Sequence, residues 1–173
     1  MYEDRIEKAV EYFKKGFNCS QSVVAAFADI YGFDEQTALR VASSFGGGIG
    51  RMRATCGAAC GMFLLAGLET GSTDPTDREG KGHNYAVVQQ MADEFKKENG
   101  SLICAELLGL SKSAPTPSMP ETRTAEYYKK RPCSEMVRTA ATIFARYLAA
   151  KQWFICYRIV EGRLPLIAVT VLH

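Results

Sequence analysis

Residues 44–61 have the sequence SFGGGIGRMRATCGAACG, a glycine-rich loop that leads into an apolar segment. Glycine has no Cβ and therefore adopts the left-handed backbone conformations that tight turns need. Thr55 belongs to the residue types that favour the N-cap position, so we expect a helix to begin at Cys56 and to run to about Gly71. Such a helix would carry Cys60 one turn beyond Cys56, on the same face.

Three further cysteines have a similar placement at predicted helix starts. Cys19 follows Asn18, a strong N-cap residue, and Cys104 lies in a short turn that Ser101 can cap. Cys133 follows a proline, which is typical of the first turn of a helix. Backbone N–H groups point outward at a helix start and the dipole favours negative charge there, so these positions favour the thiolate. Thiolate is the form of cysteine that attacks disulfides and binds metals.

Apolar side chains at helical spacing predict an all-α fold. The predicted helices cover residues 3–15, from 19 to about 32, from 35 to about 42, from 56 to about 71, 82–98 and 132–150. We therefore expect an irregular bundle of five to six helices. Residues 109–124 contain three prolines and no apolar periodicity, which is typical of a surface loop.

The C-terminal segment differs in composition from the helical body. Residues 152–173 are rich in β-branched and aromatic side chains, and Glu161 with Gly162 suits a turn. We expect a helical cysteine-containing domain over 1–150 and an apolar appendage over 151–173, folded as a short hairpin or as an irregular flap. Charged residues interrupt this segment, so it does not predict a membrane span. Contact with a second copy in a homodimer is one role that its apolar character suggests.

Composition and charge narrow the class of protein. The 173 residues are 47% hydrophobic and 23% charged, which is ordinary for a globular domain. A net charge of +2 gives no long-range field for nucleic acid, and the basic run of residues 129–131 is interpreted as solvated surface. The charged N-terminus lacks the apolar core of a secretory signal, so we expect a cytoplasmic location. Six cysteines in a reducing cytosol favour metal binding, catalysis or burial over structural disulfides.

The glycine loop and its neighbours allow several interpretations. No Gly-Lys-Ser/Thr closes the loop and no clear strand precedes it, so a close-packed turn that approaches Cys56 is favoured over a phosphate site. Arg51 and Arg53 either lower the pKa of Cys56 or are ordinary surface groups. His83 is interpreted as a capping or surface residue rather than as a general base for a thiol. No pair of CxxC knuckles marks a zinc site, and each cysteine taken alone also fits a buried, inert thiol.

The cysteine pattern as a whole resembles the redox-active C_GCAxxG_C_C family of small bacterial and archaeal proteins. The residues that carry the resemblance are Cys19 in GFNCSQSV, Cys56 in CGAACG, Cys104 in ICAELLG and Cys133 in RPCSEMV. The resemblance covers roughly residues 5–150 and implies a redox role for these four cysteines. Cys60 and Cys156 lie outside the family's set.

Three hypotheses follow for the four cysteines, which the helices would bring together at one end beside the glycine loop. In the first, the protein is a thiol–disulfide oxidoreductase with an unknown redox partner, in which Cys56 attacks and Cys19 or Cys104 resolves. In the second, Cys19, Cys56, Cys104 and Cys133 are metal ligands that hold an iron–sulfur cluster or a zinc ion. In the third, the protein is a helical interaction module and the cysteines only pack.

Overall fold

Eight α-helices make up most of the computed structural model, which describes residues 2–111 and 114–160. They are α1 (Glu3–Lys14), α2 (Cys19–Phe27), α3 (Glu35–Ala42), α4 (Gly57–Thr70), α5 (Arg78–Asn99), α6 (Cys104–Leu107), α7 (Ala125–Lys130) and α8 (Cys133–Val160). Short 3₁₀ helices, Ala28–Tyr31 and Ser43–Phe45, follow α2 and α3. No β-strand occurs over the described residues, so the predicted all-α class is confirmed, with more helices than the expected five or six.

The helices that carry the four cysteines begin within one residue of the positions expected from the sequence. At α2 the Asn18 side chain accepts from the Gln21 N–H at 3.0 Å, and the Gln21 side chain accepts from the Asn18 N–H, which completes a capping box. The start of α4 differs, because the helix begins at Gly57 and Cys56 is its N-cap residue. Thr55 is therefore not the cap and instead forms an isolated antiparallel bridge with a residue just before α6.

Two helices differ more from the expectation. Helix α5 begins four residues earlier than predicted, because the Asp77 side chain accepts from the Gly80 N–H at 2.8 Å and caps the start. Helix α7 was not predicted; it has only six residues, and Thr124 caps it by accepting from the Tyr127 N–H at 3.2 Å. So short a segment carries too few apolar positions to show a helical period.

Helix α8 extends ten residues past its predicted end at residue 150 and reaches Val160. The predicted domain boundary between residues 150 and 151 therefore lies within one continuous helix. Most of the predicted appendage, residues 161–173, lies outside the described residues, so the hairpin and the homodimer contact stay predictions. Although α8 has 28 residues, no helix over 2–111 and 114–160 combines the length and apolar content that crossing a membrane requires.

Helix α2 lies at the centre of the bundle and packs against α1, α3, α4 and α8. Its last residue, Phe27, is fully buried, and its ring meets the Phe144 ring of α8 edge to face with centroids 5.2 Å apart. Burying one such side chain stabilises a fold by about 1.5–3 kcal/mol. The position of α2 matters for the site, because α2 begins with Cys19.

Two glycines of α4 allow its backbone to lie directly against α2. A Cβ at Gly61 would lie 2.9 Å from the backbone oxygen of Ser20, closer than real Cβ contacts occur. A Cβ at Gly57 would lie 2.8 Å from the Phe45 carbonyl oxygen and 3.3 Å from the Cys19 Cβ. The CGAACG segment thus brings the start of α4 into contact with the start of α2.

Replacing Gly61 with alanine should lower the free energy of unfolding by about 1–3 kcal/mol, because the added methyl group must push α2 away from α4. Gly67 is a matched control in the same helix, since a Cβ there would meet nothing within 4 Å. Gly67→Ala should raise the free energy of unfolding by about 0.5–1 kcal/mol, because alanine favours a helix interior. Urea unfolding followed by circular dichroism measures both, and equal effects would contradict the close contact between α2 and α4.

Candidate functional site

The four cysteines singled out in the sequence line one cleft of about 390 Å³. Each enters it from the start of a different helix: Cys19 from α2, Cys56 from α4, Cys104 from α6 and Cys133 from α8. The glycine loop before α4 and the segment before α7 complete the walls. The structure therefore brings the four cysteines together beside the glycine loop, as the sequence analysis expected, whereas Cys60 does not line the cleft.

The glycine loop packs against Cys104. Gly48 has a φ of +75°, which favours glycine, and a Cβ there would lie 2.6 Å from the Cys104 Cβ. The loop is thus a close-packed turn, as interpreted from the sequence, and it lies beside the start of α4 as well, since a Cβ at Gly57 would lie 3.4 Å from the Gly46 Cα. Arg51 and Arg53 also have positive φ values, 66° and 62°, which cost non-glycine residues of order 1–3 kcal/mol each.

Backbone pairing places Cys56 and Cys104 next to each other in the cleft wall. The Cys56 N–H donates to the Leu102 carbonyl and the Cys104 N–H donates to the Ala54 carbonyl, each at 2.7 Å. The starts of α4 and α6 are therefore fixed side by side. Sequence analysis missed this pairing, because an isolated bridge is too short to leave an alternating pattern of side chains.

Cys133 is the cleft cysteine whose pKa is lowered. Interaction with the neighbouring Cys19 thiol is the largest cause of a fall in the pKa of Cys133 from 9.0 to about 7. The positive charges of Arg131, Arg123 and Arg53 lower it further. The same interaction, together with burial, raises the pKa of Cys19 well above its ordinary value. The three arginine charges favour Cys133 over Cys19 as the sulfur that carries the negative charge of the pair.

Burial has the opposite effect on the other two cleft cysteines. It raises the pKa of Cys56 to about 12, although the N–H groups of Ala58 and Ala59 act to lower it. It also raises the pKa of Cys104, although the Arg53 guanidinium lies 4.0 Å from the sulfur and lowers it. The expectation that a helix start makes Cys56 acidic is therefore corrected. Burial destabilises the Cys56 thiolate by more free energy than the hydrogen bonds from the helix N–H groups stabilise it.

Cys60 and His83 lie outside the cleft. The Cys60 thiol donates to the Thr55 carbonyl at 3.8 Å, and burial raises its pKa to about 11. His83 is exposed on α5 and lines no part of the cleft, in agreement with its interpretation as a surface residue. The structure offers no histidine base to a cleft thiol over the described residues.

Four arginines line the cleft: Arg51, Arg53, Arg123 and Arg131. The only carboxylate in its described lining is Glu121, which accepts a hydrogen bond from Arg131 and lies 3.9 Å from the nearest guanidinium nitrogen of Arg51. The cleft is therefore positively charged overall. Arg53 contributes to the electrostatics of Cys104 and Cys133, so the expectation that it acts on Cys56 is corrected.

Arg131 was wrongly grouped with its basic neighbours as solvated surface. Its side chain is 17% exposed and its guanidinium lies over the Tyr127 ring, 4.9 Å from the centroid. The Lys129 side chain is 74% exposed, as expected for a solvated residue. The run of like charges in the sequence does not distinguish these two positions. Their exposure differs because Lys129 lies within α7, whereas Arg131 follows the last residue of that helix.

The described residues do not fit a metal centre. Over 2–111 and 114–160, no group of three or more His, Cys, Asp or Glu side chains is arranged to hold a metal ion. A zinc ion or an iron–sulfur cluster needs sulfurs that converge on one point. Sharing a cleft does not meet this requirement, so the metal alternative stays a prediction that the present geometry does not support.

The fold and the site together define a class: an all-α protein in which the described residues bring four cysteines from four helix starts into one cleft. The chain belongs to the C_GCAxxG_C_C family, since the family model described as "Putative redox-active protein (C_GCAxxG_C_C)" matches residues 17–147. The resemblance seen in the sequence is thereby confirmed, and the family description supports a redox role in general. No curated protein and no solved structure matches the chain.

Alkylation of Cys133 by iodoacetamide should accelerate as the pH rises through about 7 and then level off, because a lowered pKa keeps the thiolate present down to that pH. Cys19→Ala removes the donor and should move the midpoint upward. Cys19→Ser keeps a hydroxyl donor and should move it less. Mass spectrometry of the Cys133 peptide measures each rate, and a midpoint near 9.0 in the unmodified chain would contradict the described electrostatics.

Proposed function

We propose that the protein is a thiol–disulfide redox protein in which Cys133 is the attacking thiolate and Cys19 the resolving thiol. The observation that carries the proposal is the placement of Cys19 and Cys133 in one arginine-lined cleft, where each thiol shifts the pKa of the other. The redox description of the family supports the general role. The proposal keeps Cys19 as the resolving residue and replaces Cys56 by Cys133 as the nucleophile.

The exchange needs no group beyond the two cysteines and a disulfide. The Cys133 thiolate attacks one sulfur of R–S–S–R′, forms the mixed disulfide Cys133–S–S–R and releases R′–S⁻. Cys19 gives its proton to the released thiolate, and its sulfur then attacks the Cys133 sulfur. The Cys19–Cys133 disulfide forms and R–S⁻ leaves. Two electrons pass from the protein to the substrate, and the reverse sequence reduces the protein.

The two cysteines suit these roles for an electrostatic reason. Before the attack, the charge on Cys133 and its hydrogen bond keep Cys19 protonated. After the attack, the Cys133 sulfur is bonded to R and carries no charge, so its two contributions to the raised pKa of Cys19 end, while the contribution of burial stays. Cys19 then loses its proton more easily at the step in which it must act as a nucleophile.

The buried pair Cys56 and Cys104 is assigned no step in this exchange. Both thiols have raised pKa values, so little thiolate forms on either of them near neutral pH. The third hypothesis, that all cysteines only pack, would be favoured by scattered cysteines. Convergence on one cleft argues against it for Cys19 and Cys133.

Cys19→Ser should trap a mixed disulfide on Cys133 when the reduced protein is treated with 2-hydroxyethyl disulfide, because the resolving sulfur is absent. Cys133→Ser should form no disulfide within the pair, and an adduct on Cys19 in this variant should stay unresolved. Cys56→Ser is the control and should still form the Cys19–Cys133 disulfide, since Cys56 takes no part. Peptide mapping of the oxidised variants locates each adduct. The assignment would be refuted if Cys56→Ser no longer formed a disulfide while Cys133→Ser still formed one.

A further inference from the structure

Arg53 is a buried cation whose hydrogen-bonding capacity is only partly used. The residue is 9% exposed and lines the cleft. One guanidinium nitrogen donates to the Cys104 sulfur at 4.0 Å, while the Nε–H makes no hydrogen bond within the described part of the chain. Buried charges are normally paired, because desolvation of an unpaired guanidinium is costly. The Nε–H is closed to solvent, so a ligand in the cleft can reach only the terminal nitrogens of the guanidinium, and the buried charge favours an anionic partner there.

The other cleft arginines already have oxygen partners. The Arg51 Nε–H donates to the Pro117 carbonyl at 2.7 Å, and Arg123 donates to the Phe13 carbonyl at 2.7 Å. Arg131 pairs with Glu121, as described above. Arg53 differs from these three arginines, because within the described residues it donates to a sulfur atom and to no oxygen atom.

The Glu121 side chain indicates which anion the cleft suits. Its carboxylate lies between the guanidinium groups of Arg51 and Arg131, inside the same cleft that contains Cys133. Arginine pairs well with a carboxylate, because its planar set of N–H donors matches the two oxygens. A volume of about 390 Å³ is within the range of pockets that hold small molecules.

We propose that the cleft binds a small disulfide that carries a carboxylate group, with the carboxylate paired to Arg53 and the sulfur–sulfur bond placed against Cys133. This inference rests on the proposed function and names its substrate class. The exchange is the one given above, in which R and R′ carry carboxylates. Glu121 is an internal competitor, because its charge lowers the attraction of the cleft for a second carboxylate.

Three disulfides of similar size and different charge test the inference: 3,3′-dithiodipropionate, 2-hydroxyethyl disulfide and cystamine, which carry carboxylates, hydroxyls and ammonium groups respectively. Each reagent is allowed to oxidise the reduced full chain to the Cys19–Cys133 disulfide, and the rate is measured. This rate is divided by the rate at which the same reagent reacts with 2-mercaptoethanol, which corrects for the intrinsic reactivity of the reagent. The carboxylate reagent should exceed the neutral one by about tenfold, the effect of one charge-assisted hydrogen bond. Cystamine should be slower than the neutral reagent.

Substitutions at Arg53 assign the preference to this residue. Arg53→Gln should reduce the carboxylate-to-neutral ratio to about one, and Arg53→Lys should keep part of it. The ratio is insensitive to the effect of Arg53 on the pKa of Cys133, because both reagents react with the same thiolate. Lys97→Gln changes an exposed charge that lies outside the cleft and should leave the ratio unchanged.

Glu121→Gln keeps the inference testable if the Arg53 variants do not fold, because the Glu121 side chain is 52% exposed. This variant should raise the carboxylate-to-neutral ratio, and an unchanged ratio would overturn the inference. Equal corrected rates for the three disulfides in the unmodified chain would also overturn it, while formation of the Cys19–Cys133 bridge would leave the proposed function standing. Failure of all three reagents to form that bridge would overturn the proposed function itself.

Discussion

The close contact between α2 and α4 at Gly57 and Gly61 determines where the cysteines lie. Because neither glycine has a Cβ, the start of α4 reaches the start of α2, where Cys19 begins the helix. Backbone pairing with the segment before α4 then fixes α6 and brings in Cys104. Helix α8 packs against α2 and α4 and adds Cys133. Residues more than a hundred positions apart thus meet through helix packing, without any local chelating motif.

Within the cleft, the balance between burial and neighbouring charge decides which thiol is reactive. A helix start favours a thiolate in each case, yet Cys56 has its pKa raised to about 12 because it is buried without a cation or thiol donor of its own. Cys133 has both, in Cys19 and in the surrounding arginines, and its pKa falls to about 7. The same arginines that favour the Cys133 thiolate also make the cleft attractive to an anionic substrate.

The sequence predicted the helices well, because capping boxes and apolar periodicity are local signals. It also predicted that the four cysteines lie together. Asn18 with Gln21 is one example of a local signal, and the family pattern identified the four cysteines without any knowledge of their contacts. The partners of those cysteines were not predictable. The place of Arg131 in the cleft depends on where α7 ends, and the roles of Arg123 and Glu121 depend on a loop with no periodic pattern. The choice between Cys56 and Cys133 required burial, which spacing does not reveal.

A site-resolved redox titration of the full chain tests whether Cys19 and Cys133 form the redox pair. The protein is equilibrated in dithiothreitol buffers of defined potential, the free thiols are labelled, and each cysteine is quantified by mass spectrometry. Cys19 and Cys133 should lose their thiols together, in one two-electron transition with a slope of about 30 mV per tenfold change. Cys56 and Cys104 should stay reduced through that transition. Oxidation of Cys19 and Cys133 at different potentials, or pairing of either with Cys56, would contradict the assignment of this redox pair.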